Sequence, residues 1–447
     1  MLALRVAWSD AVVVAYTANE GSNTVSVIDT TLNQQIIAVP VGLKPLRCIV
    51  TPDGRKLYVS NSNSSSVMAM KTASNQIVAV VPVGLYPSEF AVTPDGTKVL
   101  VCNESNNTVT VISTATDTAI ATIPVGLKPS IVQVLPNGSY AYVGNRGDDK
   151  ISVIDLSNNT HLQYISTGLS PRRLLISRNG QRVYVANFKS NSISVVDTAT
   201  QDILATIAVG QAPRGLAETP DGAELYVTCV QNQSTYVVNT ANNSVITNIF
   251  TGNVPWSALA TPDNAWVYVA VSGDNRVGII NRATKQVVKW LNVGKGCFWL
   301  DITPDASRIY VTGPADGTVT AIDPATQSVA GTVTLGQFAS PWQVAVAEVS
   351  ESAVHPAPKV TGVSPGLLPR GTTTAMSVFG ENFVTGVTVV VEPKVAGVYV
   401  TSTQYGDPNT IVANVFVSSS AKSGAKGLKV TNPDGQSIVA ANIFSTP

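Results

Sequence analysis

Residues 168–210 decide the fold: Gly168-Leu169-Ser170-Pro171, then Leu174-Leu175-Ile176, Tyr184-Val185-Ala186-Asn187, Ile193-Ser194-Val195-Val196-Asp197, and Ile203 to Val209 before Gly210. Four short apolar, β-branched runs are separated here by turn residues, and the third run alternates with the period of a strand. The pattern extends in both directions. Glycine recurs at Gly42, Gly84, Gly126, Gly168, Gly210, Gly252, Gly294 and Gly336, in steps of 42 residues. Seven identical intervals make this an internal repeat.

The rest of the unit keeps step. Proline follows at Pro45, Pro87, Pro129, Pro171, Pro213 and Pro255, opening a first strand such as Cys48-Ile49-Val50. A tight turn comes next: Thr51-Pro52-Asp53-Gly54, Thr93-Pro94-Asp95-Gly96 or Thr219-Pro220-Asp221-Gly222. Proline presets φ for such a turn, and Asp and Gly suit its return. Four short strands in about 40 residues predict one antiparallel blade. A single blade cannot bury both faces, whereas blades stacked radially can. The expected fold is all-β: an eight-bladed β-propeller of four-stranded antiparallel blades over residues 1–349. A ninth first strand, Pro341-Trp342-Gln343-Val344-Ala345-Val346, is expected to pair with the N-terminal unit and fasten the ring. Leu4 to Trp8 is a weaker candidate for that position.

The Tyr-Val-(Ala/Ser/Thr)-Asn strand, the Thr-Pro-Asp-Gly turn, Val25-Ser26-Val27-Ile28-Asp29 and the Pro-Val-Gly ending resemble the YVTN family of β-propeller repeats. Asn follows at Asn19, Asn61, Asn103, Asn145 and Asn187, but the last three units carry Cys229, Val271 and Gly313 instead. That resemblance implies an exported binding protein. It leaves the ligand open, since fold is not function.

Residues 350–358, which include Pro356 and Pro358, read as a short stiff linker. The repeat period then disappears. Alternating runs at Thr374 to Phe379, Val387 to Val391, Val398 to Thr401, Ile411 to Val417 and Gly427 to Val430 predict a small Ig-like β-sandwich over 359–447. Val363-Ser364-Pro365, Phe379-Gly380-Glu381-Asn382-Phe383 and Val430-Thr431-Asn432-Pro433-Asp434-Gly435 resemble the IPT/TIG family. This resemblance implies a spacer or docking module of a cell-surface protein.

Composition narrows the function. Of 447 residues, 13% are charged, with 28 Lys+Arg against 28 Asp+Glu. No global field steers the chain to nucleic acid or an anionic membrane. No apolar run approaches the roughly 18 residues of a transmembrane helix. The N-terminal stretch does not read as a secretory signal, because Arg5 and Asp10 interrupt it. Cys48, Cys102, Cys229 and Cys297 form no Cys-x-x-Cys pair and read as small buried hydrophobes. His161 and His355 are too few for a His-rich metal site or a conventional Ser-His-Asp triad. No metal site, cofactor or catalytic residue is expected. Asp148, Asp149 and Asp316 read as solvated turn acids, and Arg146-Gly147-Asp148 as chance turn chemistry.

One constellation stands out. The two residues after the repeat proline start the strand nearest the propeller axis, so they encircle one channel mouth. They include Arg47, Glu89, Arg172, Arg173, Arg214, Trp256, Phe298, Trp299 and Trp342, although aromatics are 6% of the chain. Arg and Trp combine stacking, cation–π attraction and forked hydrogen bonding. A ligand site here would take a protein, a glycan or a small anionic ligand. Otherwise the aromatics plug the channel and the arginines pair with Glu89, Glu218 and Asp301. The expected protein is a non-enzymatic, extracellular, cell-surface or periplasmic binding or structural protein. A lactonase- or lyase-type enzyme at the Arg-lined mouth, with Glu89 or Asp301 as base, is one alternative. Single-stranded nucleic acid binding by stacking is another.

Overall fold

The structure, a computed structural model, describes residues 11–336, 338–350, 359–382, 387–407, 409–431 and 437–447. Most of the expected linker, together with His355 and the segment Leu4 to Trp8, lies outside them. Two compact units are present, the larger including Val13–Val349 and the smaller Ser350–Pro447.

Within residues 11–350, the described strands form eight four-stranded antiparallel sheets. One sheet runs Pro45–Val50, Lys56–Asn61, Ser66–Lys71 and Gln76–Pro82 in chain order. Six more repeat this order. The remaining sheet differs: Gln34–Pro40, Thr24–Asp29 and Ala11–Asn19 are completed by Pro341–Ser350, from the far end of the unit. The second and third strands of each sheet are almost continuously buried, as in Lys98–Asn103 and Thr108–Ser113. Sheets packed on both faces produce this pattern. The repeat tyrosines Tyr16, Tyr58, Tyr142, Tyr184, Tyr226, Tyr268 and Tyr310 are the largest fully buried side chains.

The repeat glycine and asparagine explain each other. Asn103 is buried and donates through Nδ2 to Thr110 Oγ1 at 2.8 Å, linking two strands across their turn. Asn19, Asn145 and Asn187 make the same bond to Ser26, Ser152 and Ser194 at 2.8–2.9 Å. A Cβ on Gly84 would lie 2.6 Å from Asn103 Cβ, so no larger residue fits. The Thr-Pro-Asp-Gly turns close as expected: Thr51 Oγ1 donates to Asp53 Oδ1 at 2.6 Å, and Gly54 adopts φ +70°.

Ring closure uses polar contacts as well as packing. Val346 N–H donates to Asp301 Oδ2 at 3.0 Å, and Cys48 N–H to Gln343 Oε1 at 3.3 Å. Tyr310 OH donates to Asn33 Oδ1 at 2.9 Å, across the sequence ends of the array. All four cysteines are buried.

The smaller unit holds two sheets. One contains Lys359–Ser364, Thr372–Glu381, Thr410–Val417 and Val398–Asp407; the other Thr388–Glu392, Gly424–Thr431 and Ser437–Thr446. Met376, Val389, Ile411, Val415, Leu428 and Phe444 belong to their shared core. Sequence reading placed five of these strands and missed Lys359–Ser364 and Ser437–Thr446.

Candidate functional site

In seven of the eight sheets the innermost strand begins at a proline, and its next two residues turn into the mouth; in the remaining sheet Cys297 stands at that position, and Phe298 and Trp299 precede the strand Leu300–Ile302. Arg47, Glu89, Arg172, Arg173, Arg214, Trp256, Phe298, Trp299 and Trp342 all line one cavity of about 370 Å³. The cavity is two-sided. Trp256, Phe298 and Trp342 form a continuous aromatic wall, with centroid separations of 4.3 Å and 4.7 Å. The guanidinium of Arg214 lies over Trp256 at 3.6 Å, and that of Arg173 over Trp299 at 4.6 Å.

Three charged residues that the sequence reading did not select also line the cavity: Glu20, Glu104 and Arg146. All occupy the position just after the repeat asparagine, where the next repeat carries Phe188. Arg172 lies over Phe188 at 4.3 Å. The 42-residue spacing that selected the first set would have found these too. Arg146 belongs to the Arg146-Gly147-Asp148 turn that reads as chance turn chemistry in the sequence. Its neighbour Asp148 accepts Leu127 N–H at 3.1 Å, so the turn is structural.

The acids of the cavity are already engaged. Glu89 pairs with Arg47 at 3.0 Å, Glu104 with Arg146, and Glu20 with Lys44 at 3.3 Å. The other two expected pairings are corrected. Glu218 ends its inner strand away from the mouth and accepts Arg178 N–H at 2.7 Å. Asp301 lies beyond Trp299 and accepts Ile302 N–H at 2.9 Å and Val346 N–H at 3.0 Å. The turn acids are also more than solvated. Asp149 and Asp316 accept the backbone N–H groups of Ser170 and Lys295, at 2.7 Å and 2.8 Å, and so staple neighbouring loops.

Arg172, Arg173 and Arg214 make no ion pair with a carboxylate among the described residues. Burial lowers the pKa of all three and adjacent guanidiniums add to it, while Glu104 and Glu89 pull Arg172 and Arg173 partly back up. Arg214 is brought down to about 9. The Nε of Arg172, the Nε1 of Trp342 and the hydroxyl of Ser130 are buried with no hydrogen-bond partner among the described residues. Such donors beside guanidiniums can together hold a group with acceptor oxygens.

Among the described residues, histidine lies away from the cavity lining. His161 lies on the outermost strand Thr160–Ser166, against Tyr164 at 4.2 Å. Among the described residues, no group of three His, Cys, Asp or Glu could hold a metal ion. No helix among them is long and apolar enough to cross a membrane.

Residues 5–122 and 114–206 match the model of the family described as lactonase, 7-bladed beta-propeller. These matches span less than half of the chain. Among solved structures, the dihydro-heme d1 dehydrogenase NirN in complex with DHE is 14% identical, with a TM-score of 0.65 over 76% of each chain. The larger unit is a β-propeller. Apo AztD from Citrobacter koseri is 13% identical, covering 76% of this chain and 99% of that one at a TM-score of 0.57. Kuenenia stuttgartiensis hydrazine synthase is 23% identical, covering 63% and 96% at 0.53. At such identities the likeness concerns the fold of the propeller alone. No curated protein matches the chain.

Proposed function

We propose that the propeller is a recognition module that holds an anionic group at its arginine-rich mouth. Arg172, Arg173 and Arg214 carry this reading, because they face one cavity with no acid of their own. A carboxylate or phosphate entering there would neutralise them and satisfy Arg172 Nε, while its apolar part meets the Trp256–Phe298–Trp342 wall.

The reading extends to the whole chain as a non-enzymatic exported or cell-surface binding protein. Its scaffold is an eight-bladed propeller of the YVTN kind, and its IPT/TIG-like Ig-fold module acts as spacer or docking domain. The eight four-stranded sheets and the two-sheet C-terminal unit support that architecture. Among the described residues no histidine lines the cavity, which supports binding over turnover.

Lactone hydrolysis is the second reading, favoured by the family match over 5–206. Calorimetric titration with citrate and inorganic phosphate at two ionic strengths tests the first. Binding that weakens with salt and is lost on Arg172→Ala and Arg214→Ala is expected. Turnover of a lactone panel that needs Glu89 would replace it with the second.

A further inference from the structure

The mouth face also carries an apolar arc. The residue after the repeat glycine is leucine in four consecutive repeats: Leu43, Leu85, Leu127 and Leu169. Each is exposed by 50–55%. The following repeats place Gln211, Asn253 and Lys295 there. Half the ring is therefore apolar at this position and half is polar.

These leucines share a face with the arginines. Leu85 O and Leu127 O accept the N–H groups of Ser105 and Gly147, at 3.2 Å and 2.9 Å. The residues just before those donors, Glu104 and Arg146, line the cavity. Leu43 and Leu169 make the matching bonds, from Asn63 N–H at 3.2 Å and Lys189 N–H at 3.1 Å. Tyr86 joins the two features, since it follows Leu85, is half-exposed and lines the cavity. Single exposed leucines are ordinary on a protein surface. An arc of them beside a pocket marks a contact surface.

We propose that this face docks a protein segment in which apolar side chains flank a carboxylate. The apolar residues cover the leucine arc, and the carboxylate (Asp, Glu or a C-terminus) enters between Arg172 and Arg214. The proposal rests on the anion-binding reading of the cavity. Charge complementarity selects the occupant. Three guanidiniums with no ion pair among the described residues call for negative charge, and the adjoining arc calls for apolar surface within the same molecule. A small free anion leaves the leucines bare. A bilayer calls for side chains that reach roughly 5–10 Å into the headgroup region. Leucines half buried against their own turns do not reach that far.

The experiment is selection of displayed random peptides of about twelve residues on the full chain, followed by affinity measurement on variants. Selected peptides should combine a carboxylate with apolar residues. Their affinity should fall at least tenfold with Leu85→Ser/Leu127→Ser/Leu169→Ser and again with Arg172→Ala/Arg214→Ala. A Leu→Gln set and melting curves control for folding. Failure to select peptides, or peptides indifferent to the leucine substitutions, would overturn the docking proposal. So would phosphatidylglycerol vesicles binding in a leucine-dependent way while no peptide does. Citrate titration separates the two readings. Citrate bound equally by wild type and the leucine variant, with no peptide selected, sinks docking and keeps the anion site. Citrate ignored by wild type sinks both.

Discussion

Arg214 stacks on Trp256 from the neighbouring repeat, with 3.6 Å between guanidinium carbon and ring centroid, and has no carboxylate among the described residues. The ring occupies one face of the cation and leaves its N–H edges for another partner. Two opposed terms act on this residue. Cation–π attraction contributes about 1–2 kcal/mol, whereas burying an unpaired charge costs several kcal/mol. Arg214→Met should therefore leave the unfolding free energy unchanged or higher, while anion affinity falls at least tenfold. Urea denaturation and calorimetry measure the two. A large loss of stability would make Arg214 a structural plug.

Burial pushes the Asp301 carboxyl up to about 6 from 3.8, against the pull of two backbone N–H groups. The folded chain thus holds this proton more tightly than the unfolded chain. The stabilisation is full below about pH 4 and is lost as pH rises through 6. A shift of this size corresponds to about 3 kcal/mol. The difference in unfolding free energy between wild type and Asp301→Asn should change by that order from pH 4 to 7. Urea midpoints across this range give the answer, and a constant difference would exclude Asp301.

Truncation after Gly336 removes Pro341–Ser350, which completes the N-terminal sheet. Truncation after residue 350 leaves it. Only the first should lower the propeller's melting temperature sharply, as read by calorimetry. Equal melting temperatures would show that the strand does not fasten the ring.

Gly84→Ala puts a methyl group 2.6 Å from Asn103 Cβ and should cost about 1–3 kcal/mol. Gly84→Ala/Asn103→Gly should cost less than the sum of the single changes, because Asn103→Gly removes the Cβ, Cγ and Nδ2 atoms that the new methyl group would meet. A double-mutant cycle by chemical denaturation checks this coupling.

Much of the molecule was legible in its sequence. Gly84 and Asn103 are 19 residues apart, yet each constrains the other in its repeat, so both recur in phase. The mouth residues were legible for the same reason, since position within a repeat fixes position around the ring. Glu104 and Arg146 escaped because only the two positions after the repeat proline were compared across repeats, whereas these residues follow the repeat asparagine. The smaller unit lost its first and last strands, Lys359–Ser364 and Ser437–Thr446, because no repeat reinforced their weak patterns.

The sequence by itself determined the blades: the 42-residue period, four strands per repeat and turn residues that leave little choice of register. It also determined that arginines and aromatics gather at one mouth. Only the tertiary structure decided which arginines keep a partner. Arg47 and Glu89 are 42 residues apart and meet at 3.0 Å, whereas Glu218 and Asp301 turn to backbone N–H groups elsewhere. Such pairing depends on how far a side chain reaches across a ring. Strand periodicity carries no information about that distance, so the uncompensated charge of Arg172, Arg173 and Arg214 emerged only from the packed blades.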